Sequence, residues 1–495
     1  MTFDNLPALQ VVIPLISAPL CFLLRRATPA WLLSVAVSWI CLAISALLLQ
    51  HVLTVGPVSY HMGGWMPPWG IEYRIDLLNA FVLVLVSGIG AVVLPYARRS
   101  VLFEVGNRRA YLFYTAFLLC LTGLLGMTST GDAFNVFVFL EISSLASYIL
   151  ISMGRDRRAL TASFQYLVMG TIGGTFILIA IGFMYISTGT LNMADLARRL
   201  PEVTQIRTVQ VAFAFFTVGI GLKLAMFPLH LWLPNAYTYA PSAATSFLAS
   251  TSTKVAIYLL LRFAYDVFGR LFSFHAMPFG PILLVLSSIA IVFASVGAIF
   301  QDNIKRMFAY SSVAQIGYIT LGIGMATATG LTAGILHLFN HALMKGALFL
   351  AIGCIVPRLG SMQVADTAGL GRRMPWTMAA IVIAGLSLVG MPLTVGFVSK
   401  WYLVMAALQK GWWWLALLIL AGSLLALIYV WRVIEAAYLR EPAPGRDLTA
   451  IREAPLSMLI PTWILVLANI WFGIDPHLTV GTASRAAAML MGLGS

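Results

Sequence analysis

FTVGIGLKLAMFPLHLWLPNAYTYAPSAATSFLASTS, residues 216–252, sets Lys223 inside an apolar run long enough to lie in a bilayer. Pro228 follows five residues later, and a second proline-punctuated segment runs from Pro234 to Pro241. In hydrocarbon a lysine costs about 2.5–3.5 kcal/mol even on the mildest scale, and each carbonyl freed by a proline needs a partner. Such a stretch must face protein or water, not lipid. A broken membrane helix beside an ionisable residue is how transporters build ion sites.

The remainder of the 495 residues agrees with a membrane setting: 60% are hydrophobic, 9% are charged and the mean hydropathy is +0.93. That composition excludes a soluble globular domain and predicts an all-α polytopic protein. Apolar runs of about 20 residues predict fourteen spans, near 7–24, 31–53, 76–97, 110–130, 133–153, 162–187, 208–232, 242–265, 278–300, 307–328, 330–357, 376–408, 411–436 and 456–474. The leader of the first span carries Asp4 and no Lys or Arg, and its positive pair, Arg25 and Arg26, follows the span, so a cleavable signal peptide is not expected.

The formal charge of +13 raises nucleic acid as a partner, but its distribution points to a membrane instead. With spans alternating from an outside N-terminus, Arg74, Arg198, Arg199, Arg207, Arg270, Lys410 and Arg485 fall outside, and Lys223, Lys254, Arg262, Lys345, Lys400 and Arg432 lie within spans. The other 17 of the 30, Lys305 and Arg446 among them, fall inside. This asymmetry is the positive-inside rule, and it predicts a multi-pass cell-membrane protein with both termini outside and no nucleic-acid partner. Cys21, Cys41, Cys120 and Cys354 sit singly in apolar runs, so neither an iron-sulfur cluster nor structural zinc is expected.

Residues 1–109 read as a three-span scaffold whose outer loop, His61 to Glu72, is an ordered cap. Residues 110–265 and 278–436 form two blocks of five spans, and 437–495 hold an inner loop, the last span and a short tail with Arg485. Five crossings are an odd number, so if the blocks are repeats the second is inverted relative to the first. A helix broken beside a lysine is fourth in each block: Pro228 with Lys223, and Pro392 with Lys400. The polar segment 189–208 predicts a surface helix, and Asp132 a cap on the fifth span.

The lysines carry the chemistry. Four of only six, Lys223, Lys254, Lys345 and Lys400, are inside spans, whereas 22 of 24 arginines serve loops and helix ends. Arginine stays charged at any accessible pH, while a buried lysine can release its proton. Snorkelling to the interface is an adequate account of Lys254 or Lys345, which lie nearer span ends, but not of Lys223 or Lys400. Glu141 is the one acid of 17 placed deep in a span. It reads either as a neutral carboxylic acid or as the ion-pair partner of Lys223, and the cost of an unpaired carboxylate favours the pair.

His337, His341 and Lys345, at i, i+4 and i+8, stand about 6 Å apart on one helical face, spacing that one or two waters bridge. They read as a proton relay, although a lone membrane histidine is as often tied to a neighbouring helix. H-x-x-x-H without an adjacent Glu or a third soft ligand does not indicate a metal. Asn340, Ser311, Ser312 and Gln315 either hold waters or join helices.

At these residues the chain resembles a known family. LKLAMFPLHLWLPNAYTYAPSAATSFLASTSTKVAIYLLLRF, QDNIKRMFAYSSVAQIGY, HLFNHALMKGALFL and GMPLTVGFVSKW are similar to the antiporter-like subunits shared by Mrp-type multisubunit sodium/proton antiporters, respiratory complex I and membrane-bound hydrogenases, over about residues 75 to 435. The resemblance implies fourteen helices, two inverted five-helix repeats, broken seventh and twelfth helices and a polar axis parallel to the membrane. Carried over by motif, Glu141 and Lys223 form the paired switch, Lys254 links the halves, His337, His341 and Lys345 relay, and Lys400 ends the row. Lysine at 400, where the middle complex I subunit has a glutamate, resembles the D subunit of Mrp antiporters. Tyr237 stands where many relatives have a histidine, which speaks against a proton exit there. The sequence given also stops short of the lateral helix of complex I's distal subunit and the extra domains of the largest Mrp subunit.

The expected function is proton translocation in a monovalent cation (Na+)/H+ antiporter, with other hydrophobic subunits as partners, no cofactor, and transport in place of enzymatic catalysis. A proton-pumping subunit of a redox-driven complex and a non-transporting structural subunit are the alternatives.

Overall fold

Residues 5–442 and 450–493 are described in the computed structural model. Asp4 and Arg446, which entered the leader and charge arguments, lie outside them. Helices α1 (Leu6–Leu24), α2 (Ala27–Thr54), α3 (Leu77–Glu104), α4 (Ala110–Ser129), α5 (Ala133–Ser152) and α6 (Arg158–Thr188) are the first six spans. The short α7 (Met193–Val203) is the expected surface helix, and α8 (Arg207–Lys223) with α9 (Trp232–Tyr239) shares the seventh span. The eighth, α10 (Ser242–Leu261), ends in a wider π turn over Arg262–Val267. The ninth to eleventh are α11 (Phe279–Ile299), α12 (Ile304–Gly324) and α13 (Ala328–Leu359). After the single-turn α14 (Leu370–Arg373), α15 (Pro375–Val389) and α16 (Val395–Gln409) share the twelfth, and α17 (Trp413–Tyr438) and α18 (Leu456–Ile474) complete the set.

Eleven of these helices are long and apolar enough to span by those criteria alone. The two broken spans and α12, diluted by Lys305, Arg306 and Gln315, bring the described residues to the fourteen that were expected. Two expectations need correction. The seventh span continues past 232 to Tyr239, and the tail forms α19 (His477–Leu490), an amphipathic helix packed on α13 and α3. The 61–72 loop is held by a hairpin of β1 (Val58–His61) and β2 (Glu72–Ile75).

The two halves are built alike in a way that their sequences do not mark. The amide of Ala133 donates to Leu191 and that of Met193 to Gly131, while the amide of Ile304 donates to Met362 and that of Val364 to Asp302. Each exchange clips a surface segment to the start of its block's second helix, and each joins residues 60 apart, Asp132 to Asn192 and Asn303 to Gln363. Asp132 accepts the Asn135 amide and Asn303 the Arg306 amide, so both second helices are N-capped beside the clip. Five spans separate the clips, which places them on opposite faces, as inverted repeats require.

Burial sorts the spans by role. α10 is buried along almost all its length, and α3, α4 and α13 nearly so, whereas α2, α6, α11 and α17 turn broad apolar faces outward. α10 packs on both α3 and α13. Polar side chains on α10 and α13 are therefore screened from lipid by a ring of apolar spans.

At both breaks a non-glycine residue holds a left-handed backbone, Ala225 (φ 59) and Leu393 (φ 67). This conformation costs about 1–2 kcal/mol per residue. At the second break Gly396 lies so close to Ser387 that an added Cβ would stand 1.7 Å from the carbonyl oxygen, whereas Gly182 of α6 has nothing within 4 Å. Gly396→Ala is expected to lower the melting temperature of the purified complex by several degrees or more, and Gly182→Ala to change stability by no more than about 0.5 kcal/mol. Thermal unfolding of the two variants side by side checks this.

Candidate functional site

Lys223 is the last residue of α8, so the break delivers its amine into the protein interior. Its Nζ donates to Ser144 Oγ at 2.7 Å and lies 3.6 Å from Glu141 Oε1. Glu141 and Ser144 are one turn apart on α5 and together cup the ammonium. The lysine side chain is 5% exposed and the glutamate 26%, while the Glu141 Oε1 facing the amine is buried beside Gly174 of α6. Trp232 Nε1 donates to the Leu222 carbonyl at 2.9 Å, satisfying a group that the break releases.

Lys400 reaches an equivalent position from the other side of its break. It belongs to the second half-helix, α16, and its Nζ turns back to the Leu388 and Val389 carbonyls at 2.8 and 3.0 Å, the C-terminal end of α15. Freed carbonyls and the negative end of a half-helix dipole stabilise a cation at that point. Ser423 Oγ at 2.9 Å and the Tyr318 ring, 4.7 Å away, complete its surroundings. Asn340 Nδ2 donates to the Val395 carbonyl at 2.7 Å, tying the break to α13.

Between these ends, Lys254 and Lys345 are fully buried, which overturns snorkelling as an account of either. Lys254 Nζ bonds the Ala249 carbonyl at 2.5 Å. Lys345 Nζ bonds the Phe308 carbonyl at 2.7 Å and Ser311 Oγ at 2.5 Å, turning toward α12 instead of continuing the histidine stripe. The His337 and His341 rings stack with centroids 6.2 Å apart. His337 is bonded on both nitrogens, to Ser399 Oγ at 2.8 Å and Gln315 Oε1 at 2.9 Å. Among the described residues His341 has no hydrogen-bond partner on either nitrogen, which costs roughly 1–3 kcal/mol per group unless water supplies the bond.

The row is thus assembled in two parts. Glu141 and Lys223 make one; in the second, His341 neighbours Lys254, Lys345 and His337, and His337 leads on to Lys400. A cavity of about 20 Å³, lined by Lys223, Ser144 and Ser252 among others, lies between the first part and α10. That volume accommodates about one water. Ser312 bonds only its own helix at Phe308 and belongs to the packing. Tyr237 donates to the Leu248 carbonyl at 3.3 Å and is likewise structural.

Three features were not legible in the chain. Tyr318 touches both His337 and Lys400, and nothing in QIGY marks it. Ser144, Ser399 and Ser423 stand at the lysines and the first histidine, and only fold proximity distinguishes them from other serines. Lys305, counted with the inner loop, is instead buried in the first turn of α12, with Nζ on the Ala240 carbonyl at 3.1 Å. Among the described residues no group of three His, Cys, Asp or Glu side chains is placed to hold a metal ion.

Fourteen spans, paired broken helices and a buried line of amines define an antiporter-like membrane subunit. Residues 130–426 match the family model described as NADH:quinone oxidoreductase/Mrp antiporter, TM, and the chain belongs to that family. The N subunit of the NADH-quinone oxidoreductase of Desulforudis audaxviator is 42% identical over 488 residues, covering 95% of this chain and 96% of the relative. The D subunit of the Na(+)/H(+) antiporter of Bacillus subtilis is 30% identical over 494 residues, covering 99% and 97%. A chain of the Mrp complex from Dietzia sp. superposes with a TM-score of 0.90 at 27% identity, covering 99% of this chain and 98% of that one. The protein is therefore a membrane subunit of the kind found in Mrp and complex I-type assemblies.

A hydrogen bond to a charged group is worth about 1.5–3 kcal/mol, roughly tenfold or more in an equilibrium. If the amine row carries protons as proposed below, Ser144→Ala, which removes the hydroxyl that Lys223 bonds, leaves assembly intact and cuts proton transport at neutral pH by about tenfold. Proton flux in vesicles at matched protein level measures it.

Proposed function

We propose that this chain is the proton-translocating subunit of a multisubunit monovalent cation (Na+)/H+ antiporter, passing protons along Glu141, Lys223, Lys254, His341, His337 and Lys400, with Lys345 as a side station. The observation that carries the reading is the Glu141–Lys223 pair, 3.6 Å apart at a helix break. At that separation the carboxylate favours the protonated amine. Moving the carboxylate away leaves an amine in low dielectric that releases its proton to the next acceptor. Repeating a lysine at the second break provides a second such station.

The 0.90 superposition on an Mrp chain and the likeness to the D subunit of an antiporter support the sodium/proton assignment. The 42% identity to a NADH-quinone oxidoreductase subunit supports a second reading, in which the same row is driven by electron transfer in partner subunits. In either reading other hydrophobic subunits in a cell membrane are among the partners. The excess of Lys and Arg on one face supports termini on the outer side. We further divide the chain into a scaffold (1–109), two repeats (110–265 and 278–436) and a terminal segment (437–495).

Lys223→Ala and Glu141→Ala are each expected to reduce cation/proton exchange in everted vesicles to below about a tenth of wild type, on the tenfold-per-1.4-kcal/mol scale. Exchange at the wild-type rate in both would leave only a scaffold. Purifying the tagged chain with its partners separates the first two readings. Small hydrophobic subunits alone support the antiporter, and co-purifying iron-sulfur or flavin proteins the redox complex.

A further inference from the structure

The buried α10 leads from the row to two groups that the row does not use, Tyr258 and Arg262. Lys254, Tyr258 and Arg262 recur at i, i+4 and i+8, on one face and about 6 Å apart along the axis. Helical side chains lean toward the N-terminus, so each covers the turn below it. The Arg262 guanidinium stands 5.5 Å from the Tyr258 ring centroid, and the Tyr258 hydroxyl donates to the Thr128 carbonyl at 3.2 Å. Lys254 lies one turn further in.

Arg262 is held from two sides. Its Nη2 pairs with Asp76 at 2.7 Å and its Nη1 with Asp266 at 2.5 Å. Asp76 is itself fixed as the N-cap of α3, bonding the Leu78 and Asn79 amides. Asp266 lies four residues on, within the π turn, a geometry that recurs at functional sites. Above this clamp is a cleft of about 450 Å³ on the face carrying the hairpin and α7, and Tyr258, Arg262, Asp266 and Asp76 line it. The cleft thus approaches to within one helical turn of Lys254, whose amine turns away from it to the Ala249 carbonyl.

We propose that this cleft is the port through which the row exchanges protons with the aqueous phase on the α7 face, and that Arg262, clamped between Asp76 and Asp266, is the plug that keeps it closed. This rests on the proton-conduction reading above. A guanidinium does not lose its proton, so it stands as a fixed positive charge between cleft and amine, and a fixed charge in a narrow passage repels an arriving proton or cation. The two carboxylates hold it in the passage. Releasing either one frees the side chain to swing into the cleft.

The test uses vesicles bearing the complete complex, with a proton gradient imposed and no exchangeable cation. Arg262→Gln is expected to raise passive proton leak at least fivefold. Asp266→Asn, which keeps the Asp76 contact, is expected to raise it less. Adding Lys254→Ala to Arg262→Gln should return the leak to the wild-type level. A cysteine replacing Tyr258 should react with a membrane-impermeant thiol reagent from the α7 face, faster with Gln at 262; the four native cysteines are buried. Tight vesicles and unchanged labelling in assembled Arg262→Gln and Asp266→Asn complexes would overturn the port and leave the clamp as a tie between α3 and α10. If the position 262 variant does not assemble, the Asp266→Asn complex decides: a raised leak that Lys254→Ala abolishes supports the port, and tight vesicles overturn it. Loss of exchange in Lys223→Ala with tight Arg262→Gln vesicles refutes the port alone, whereas an unaffected Lys223→Ala refutes the row as well.

Discussion

A primary amine in a bilayer must find its acceptors inside the protein, and most of this architecture follows from meeting that demand. An unbroken helix offers it only the second lone pair of carbonyls already bonded four residues on, which is what Lys254 and Lys345 take at Ala249 and Phe308. Breaking the seventh and twelfth spans releases carbonyls at mid-membrane depth. Lys400 takes two of them directly. Lys223, at the end of its half-helix, takes a serine and a glutamate from α5 instead, and Trp232 is used to satisfy the loose carbonyl. One lysine is thus held by fixed dipoles and the other by an ionisable partner, and only the second arrangement has a charge that can be withdrawn.

Inversion of the two blocks sets these devices in matching places of the two halves. A broken helix is fourth in each block, and because the blocks enter from opposite faces, their breaks meet in the middle. The matched clips at Asp132–Asn192 and Asn303–Gln363 anchor the second helix of each block to opposite surfaces. α10 and α13, packed together and screened by apolar spans, then join the two breaks with Lys254 and the histidines.

The chain separates its cations by chemistry. Five of the six lysines are buried, and a buried amine is able to release its proton. The two arginines within spans make fixed attachments: Arg262 to Asp76 and Asp266, and Arg432 to Asp302 and the Ile299 and Gln301 carbonyls at the opposite rim. A guanidinium that always carries its charge suits a fixed attachment; an amine can trade its proton.

Fourteen spans, two breaks and an excess of intramembrane lysine were determined by the sequence alone, because hydropathy, proline position and residue choice act over neighbouring residues. The ~6 Å spacing of the histidine stripe followed equally from helical pitch. What each amine bonds was decided by tertiary structure: Lys345 turning to Ser311, Lys254 drawn back on its own helix, Tyr318 between His337 and Lys400, Lys305 buried instead of free in a loop. Arg262 and Asp76 are 186 residues apart, and no local pattern pairs them. Helices far apart in the chain supply these acceptors, so the pairings exist only once the bundle has packed.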